Sequence, residues 1–251
     1  MRILRLLAVL LIAPSLHAAD WNAAVLAAVR SMPTGGGYSV TSETSARLRA
    51  ATSVGADNLR ISPAIARPSY CSGATYLVLL KALAGAQATG ALQLDPATLQ
   101  ALAPAMQRDG QGAWGRWNAN GPGTARLFHE LGVGRNFTNW EAARPGDFLK
   151  IFWRDAVGSD ERGHSVIFLG VENRDGVESV RFWSSNKPDG YGEKVVPKAK
   201  IARALFSRLE QPERFAGIER VPAVDPYLAS LLERRSSFAE ACAKSGVAAP
   251  R

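Results

Sequence analysis

The hydrophobic pattern of this chain changes period at Pro145. Before that point apolar residues recur at helical spacing. After it, segments 147–153, 165–172 and 178–184 are rich in Phe, Val and Ile and read as strands. Asn173-Arg174-Asp175-Gly176, between the last two, has the composition of a tight hairpin turn. Strands joined in this way form an antiparallel meander, and Val195-Val196 offers a fourth member. Helices first and strands second predict an α+β fold.

In the first half, residues 21–30 are Ala-rich and helical, ended by Pro33 and Gly35-Gly36-Gly37. Residues 44–51 predict a second short helix, and 58–68, punctuated by proline, an extended segment. Cys71 then opens an apolar run, 74–84, closed by Gly85; its length and lack of alternation predict a buried helix. Further helices are expected over 97–107, after Asp95-Pro96, and over 124–131, stopped by Gly132. Between them, 110–123 is rich in Gly and Asn and reads as a long loop carrying Trp114, Arg116 and Trp117. Residues 199–209 and 227–243 return to helical spacing.

With 251 residues, 47% hydrophobic and 21% charged, the chain can bury a full core, which excludes a disordered or fibrous protein. Residues 1–19 read as an export signal. Arg2 and Arg5 precede an apolar run over 6–13, Pro14 breaks it, and Leu16-His17-Ala18-Ala19 offers small residues for cleavage. A periplasmic or secreted location follows. No later apolar run is long enough to cross a bilayer, so no stable membrane insertion is expected. Loss of two arginines with the leader takes the formal charge from +8 to +6. Such a protein suits peptidoglycan or another anionic envelope polymer better than nucleic acid, though charge also serves solubility. Cys71 and Cys242 are the two cysteines, and in an oxidising compartment they can form one disulfide. Beyond the leader the histidines are His129 and His164, with no C-x-x-C and no His pair at helical spacing; no metal or cofactor is expected.

Cys71 stands where a loop becomes the first turn of the buried helix, where free backbone N–H groups and the helix dipole favour a thiolate. Ser72 and Gly73 leave room around the sulfur. A thiol nucleophile needs a base, and His164, at the start of a strand, is the best placed. A third polar group should hold the imidazole in one tautomer. Strand alternation puts Ser184 and Asn186 on one face, and either can reach the ring. Trp114, Arg116, Trp117 and Asn118, with Asn120, are candidates for a substrate groove, since aromatic rings stack on sugars and Arg pairs with carboxylates. The same residues equally describe a segment capping the core with two tryptophans. Asp147 reads as a strand-start residue, and Cys242 as core.

Three motifs carry a resemblance. Cys71-Ser72-Gly73 before an apolar helix resembles the nucleophile motif of the NlpC/P60 cysteine peptidases. Arg144-Pro145-Gly146-Asp147-Phe148 is similar to that family's approach to its first core strand, and Gly163-His164-Ser165-Val166-Ile167-Phe168-Leu169-Gly170 to its histidine strand. The resemblance spans roughly residues 68–186. It implies a papain-like fold, with the cysteine helix packed on an antiparallel sheet and extra helices flanking it. It also implies Cys71 as nucleophile, His164 as base, and hydrolysis of peptide or amide bonds in peptidoglycan. Tyr70 stands where the family usually has Asp, and Ser184 or Asn186 where a His is common. Those departures put stem-peptide specificity in question. On this basis 1–19 is the leader, 20–60 a helical extension, 61–215 the catalytic domain and 216–251 a C-terminal helix and tail. The backbone N–H of Cys71 is expected to form part of the oxyanion hole, with Tyr70 and Tyr38 as candidates for its second donor and Tyr70 also for substrate binding. Two rival readings use the same residues: acyl transfer or another amide as substrate, and an envelope-binding domain whose site has decayed.

Overall fold

A computed structural model describes residues 20–248. The expected leader, 1–19, lies outside the described residues. Helix α1 (Trp21–Arg30) starts on Asp20, whose carboxylate accepts from the Ala23 N–H. Strand β1 (Gly35–Gly36) follows, then helix α2 (Ser42–Ala50), capped by the Thr41 hydroxyl, and a ribbon of β2 (Thr52–Val54) with β3 (Leu59–Ile61). Helix α3 (Cys71–Ala88) is buried on nearly all sides from Ser72 to Leu83, which is why its sequence shows no amphipathic stripe. It does not stop at Gly85. That glycine is helical, no atom lies within 4 Å of where its Cβ would stand, and packing elsewhere on the helix outweighs its poor propensity.

Next come α4 (Pro96–Leu102), α5 (Gly112–Asn118) and α6 (Gly123–Leu131). Helix α4 ends at Leu102, five residues before the expected 107, because Ala103, the residue before Pro104, is driven out of helical conformation. The strands are β4 (Gly134–Phe137), β5 (Phe148–Phe152), β6 (Val157–Gly158), β7 (Gly163–Arg174), β8 (Val177–Asn186), β9 (Gly190–Pro197) and β10 (Arg203–Leu209). After them lie α7 (Pro226–Ser230), β11 (Arg235–Ser236) and α8 (Phe238–Lys244). The main sheet has seven strands in the order β1-β9-β8-β7-β5-β10-β4, with every neighbouring pair antiparallel. The hairpin between β7 and β8 turns where expected, with Asp175 and Gly176 at φ 53° and 81°. The fold is α+β.

Two expectations are corrected. The helix predicted over 199–209 is strand β10, inserted between β5 and β4 and buried at every position but its first. The helix predicted over 227–243 is two short helices, α7 and α8, parted by β11, which pairs with β6.

The boundary expected at residue 60 does not divide the core. Trp21, Val25 and Val29 of α1 belong to one apolar cluster with Leu77 and Leu80 of α3 and Phe148 and Ile167 of the sheet. Nor is 216–251 a separate unit, since Phe238 and Cys242 of α8 pack with Phe152 and Leu205. No described helix is long and apolar enough to cross a membrane.

Candidate active site

Three elements converge on one point. Cys71 is the first residue of α3, so its backbone N–H has no partner within the helix. The preceding residue, Tyr70, is extended (φ −135°, ψ 165°) and makes no side-chain cap, leaving this helix start open to an acceptor. His164 lies near the start of β7, opposite Ile151 of β5, and Asn186 ends β8. The Nε2 of His164 and the Oδ1 of Asn186 are 3.0 Å apart.

The orientation of Asn186 is fixed from behind. Its Nδ2 donates to the carbonyls of Gly192, at 2.8 Å, and Ser184, at 3.3 Å. With both amide hydrogens so used, Oδ1 is the atom left for the ring, and it can only accept. His164 therefore carries a proton on Nε2 and presents Nδ1 to the site. The ring is held between Trp153, stacked at 6.3 Å, and Phe182, edge-on at 5.7 Å.

Burial of the Cys71 sulfur raises its pKa. Hydrogen bonding to His164, that imidazole's charge, the Ser165 backbone N–H and the Lys150 ammonium lower it by more. The thiol is brought down to about 6 from an ordinary 9.0, which favours the thiolate. Cys242 is the reverse case: burial pushes its thiol up to about 11. Both cysteines are free, so the expected alternative of a Cys71–Cys242 disulfide is not formed.

Ser184 is not on the imidazole. It is fully buried, and its hydroxyl donates to the Ser165 carbonyl at 2.7 Å, steadying the strand whose N–H faces Cys71. Tyr38 is brought beside Cys71 because residues 37–39 run along 69, with the Ser39 N–H donating to the Ser69 carbonyl and the Ser69 N–H to the Gly37 carbonyl. Burial and the neighbouring Cys71 thiol raise the Tyr38 pKa, so the phenol stays protonated and can donate. The Tyr70 hydroxyl is instead 3.4 Å from that of Ser45, and its ring packs on Trp114.

The expected groove residues are mostly core. Residues 112–118 form α5, and Trp114, Arg116 and Trp117 are 5%, 0% and 1% exposed. Trp117 donates its indole N–H to the Ser72 carbonyl at 3.1 Å, supporting the first turn of α3 from beneath. Arg116 is consumed internally by Glu130, at 2.7 Å, and by the carbonyls of Gly110, Gly112 and Pro222. With four of its five N–H groups engaged within the protein and its side chain fully buried, Arg116 is a structural residue. Asn118 does reach the site's edge: it accepts from the Ser72 hydroxyl at 2.7 Å and donates to Asp109 at 3.4 Å. Asn120 is turned away, onto the Gly158 carbonyl.

Lys150, Glu161 and Asp109 were not among the candidates. Lys150 interrupts the apolar strand Phe148-Leu149-Lys150-Ile151-Phe152, a signal visible in the sequence, and pairs with Glu161 at 2.6 Å. Burial raises the Asp109 carboxyl above the usual carboxylate range, against the pull of Asn118, the Asn120 backbone N–H and Lys150. No group of three or more His, Cys, Asp or Glu among the described residues is arranged to hold a metal ion. The chain is matched by no family model, no curated protein and no solved structure.

Proposed function

We propose that this protein is an exported thiol hydrolase that cleaves peptide or amide bonds in peptidoglycan, with a papain-like arrangement of the NlpC/P60 type. One observation carries the reading: a helix-start thiol with a depressed pKa stands against an imidazole whose far nitrogen is held by a fixed amide. Asn186 takes the third position, for which the sequence offered both Ser184 and Asn186.

The Cys71 thiol gives its proton to the Nδ1 of His164 and becomes the attacking thiolate. The sulfur attacks the carbonyl carbon, forming an S–C bond, and the oxyanion receives the Cys71 backbone N–H and the Tyr38 hydroxyl. His164 gives its Nδ1 proton to the amine nitrogen as the C–N bond breaks, leaving a thioester and a neutral ring. Water then attacks the thioester and yields a proton to His164. Release of the carboxylic acid breaks the S–C bond and returns the Cys71–His164 pair to its starting state. Throughout, Asn186 keeps the ring in plane and Lys150 favours the thiolate.

The test is incubation of isolated sacculi with the mature protein and with Cys71→Ala, followed by mass spectrometry of the soluble fraction. Fragments are expected from the native protein alone, and their masses name the bond. Release that is equal in both, or absent from both, defeats the reading.

A further inference from the structure

Beside His164 lies a cleft of about 590 Å³. Its walls are aromatic, from Tyr38, Trp153 and Phe182, and its rim carries Arg162, Lys187 and Lys194. Among the described residues none of these three cations takes part in an ion pair. The carboxylate that does line the cleft, Glu161, is already satisfied: Oε1 meets Lys150, and Oε2 accepts from the N–H groups of Gly121 and Gly158. The Lys187 ammonium rests 5.2 Å above the Tyr38 ring, on the residue that stands beside Cys71. Lys194 lies opposite Phe182, the ring that contacts His164. The other flank of Cys71 has the opposite character, with Asp109 linked through Asn118 to Ser72. Three cations without an ion pair among the described residues thus line the cleft on the His164 side.

We propose that this cleft is a subsite for a carboxylate on the amine half of the substrate, received by Arg162, Lys187 and Lys194. The proposal rests on the thiol-hydrolase reading. It assigns the amine half because His164 must hand its proton to the leaving nitrogen, so that half of the substrate lies against the imidazole and continues into the cleft. Charge sets the preference here through the local potential, which concentrates anions at a low-dielectric aromatic wall. A guanidinium at the rim adds a fork that matches a carboxylate.

Two alkylating reagents of the same size separate charge from reactivity: iodoacetate, which carries a carboxylate, and iodoacetamide, which does not. The native protein and an Arg162→Glu/Lys194→Glu variant are compared at low salt, with free cysteine as reference. Both substituted side chains are exposed, and circular dichroism checks that the variant is folded. The native ratio of iodoacetate to iodoacetamide rates is expected to exceed that of free cysteine and to fall about three- to tenfold in the variant. A native ratio equal to that of free cysteine, or one the variant leaves unchanged, overturns the subsite while leaving the nucleophile intact. A Cys71 inert to both reagents defeats the thiol-hydrolase reading and the subsite with it.

Discussion

At the scale of single residues, the site depends on what holds His164 still. An imidazole on a strand can turn about its side-chain bonds, and a wrong orientation separates base from nucleophile. Asn186 prevents this with one accepted hydrogen bond, and its own amide is pinned by two carbonyls. Asn186→Ala is expected to lower kcat on sacculus fragments roughly 100-fold with a smaller change in KM. It should also raise the midpoint of Cys71 alkylation with pH, which a loss of stability alone would not do. An unchanged kcat would remove Asn186 from the positioning role. The sequence narrowed this residue to two and no further, because Ser184 and Asn186 share a strand face. Depth decided between them: Ser184 is sealed against Ser165, whereas Asn186 meets the ring. The two tryptophans and Arg116 were ambiguous for the same reason, since a Gly- and Asn-rich stretch reads alike whether it caps a core or lines a groove.

At the scale of elements, what was legible had a local cause. The Phe-, Val- and Ile-rich runs of β7 and β8, the Asp-Gly turn and the all-apolar run of α3 are each written within a dozen residues. Strand β10 was not legible, because both its faces are covered: Ala204 and Phe206 enter one cluster while Leu205 and Leu209 enter others. Burial on both sides erases alternation, and Ala, Leu and Arg then look helical by propensity. The split of the C-terminal segment did leave a trace. Ser237-Phe238-Ala239-Glu240 has the spacing of a helix start, and the Ser237 hydroxyl accepts from the Glu240 N–H at 3.0 Å. Helix α5 is set by tertiary contact instead, through the Arg116 ion pair and the Trp117 hydrogen bond.

At the scale of the molecule, the helical and sheet halves are joined by a buried polar tie. Arg208 of β10 donates from Nε and an Nη to the two carboxylate oxygens of Asp147, each at 2.7 Å, and Asn22 of α1 donates to the same carboxylate at 2.9 Å. Arg208→Met strands a buried carboxylate and is expected to cost roughly 3–5 kcal/mol in urea unfolding, partly recovered by adding Asp147→Asn. A cost below about 1 kcal/mol, within the range of an exposed pair, would contradict this. The tie matters for function because the site draws Cys71 from one half and His164 and Asn186 from the other. A depressed thiol pKa therefore reports the assembled molecule. The sign follows from the thiolate: reactivity is high above the folded pKa and is lost as pH falls through it. The most direct measurement is the iodoacetamide rate at Cys71 against pH, in the native protein and in His164→Ala. The native midpoint is expected at about 6 and that of His164→Ala at or above the ordinary 9.0; a native midpoint near 9.0, or one the substitution does not move, would contradict the Cys71–His164 pair.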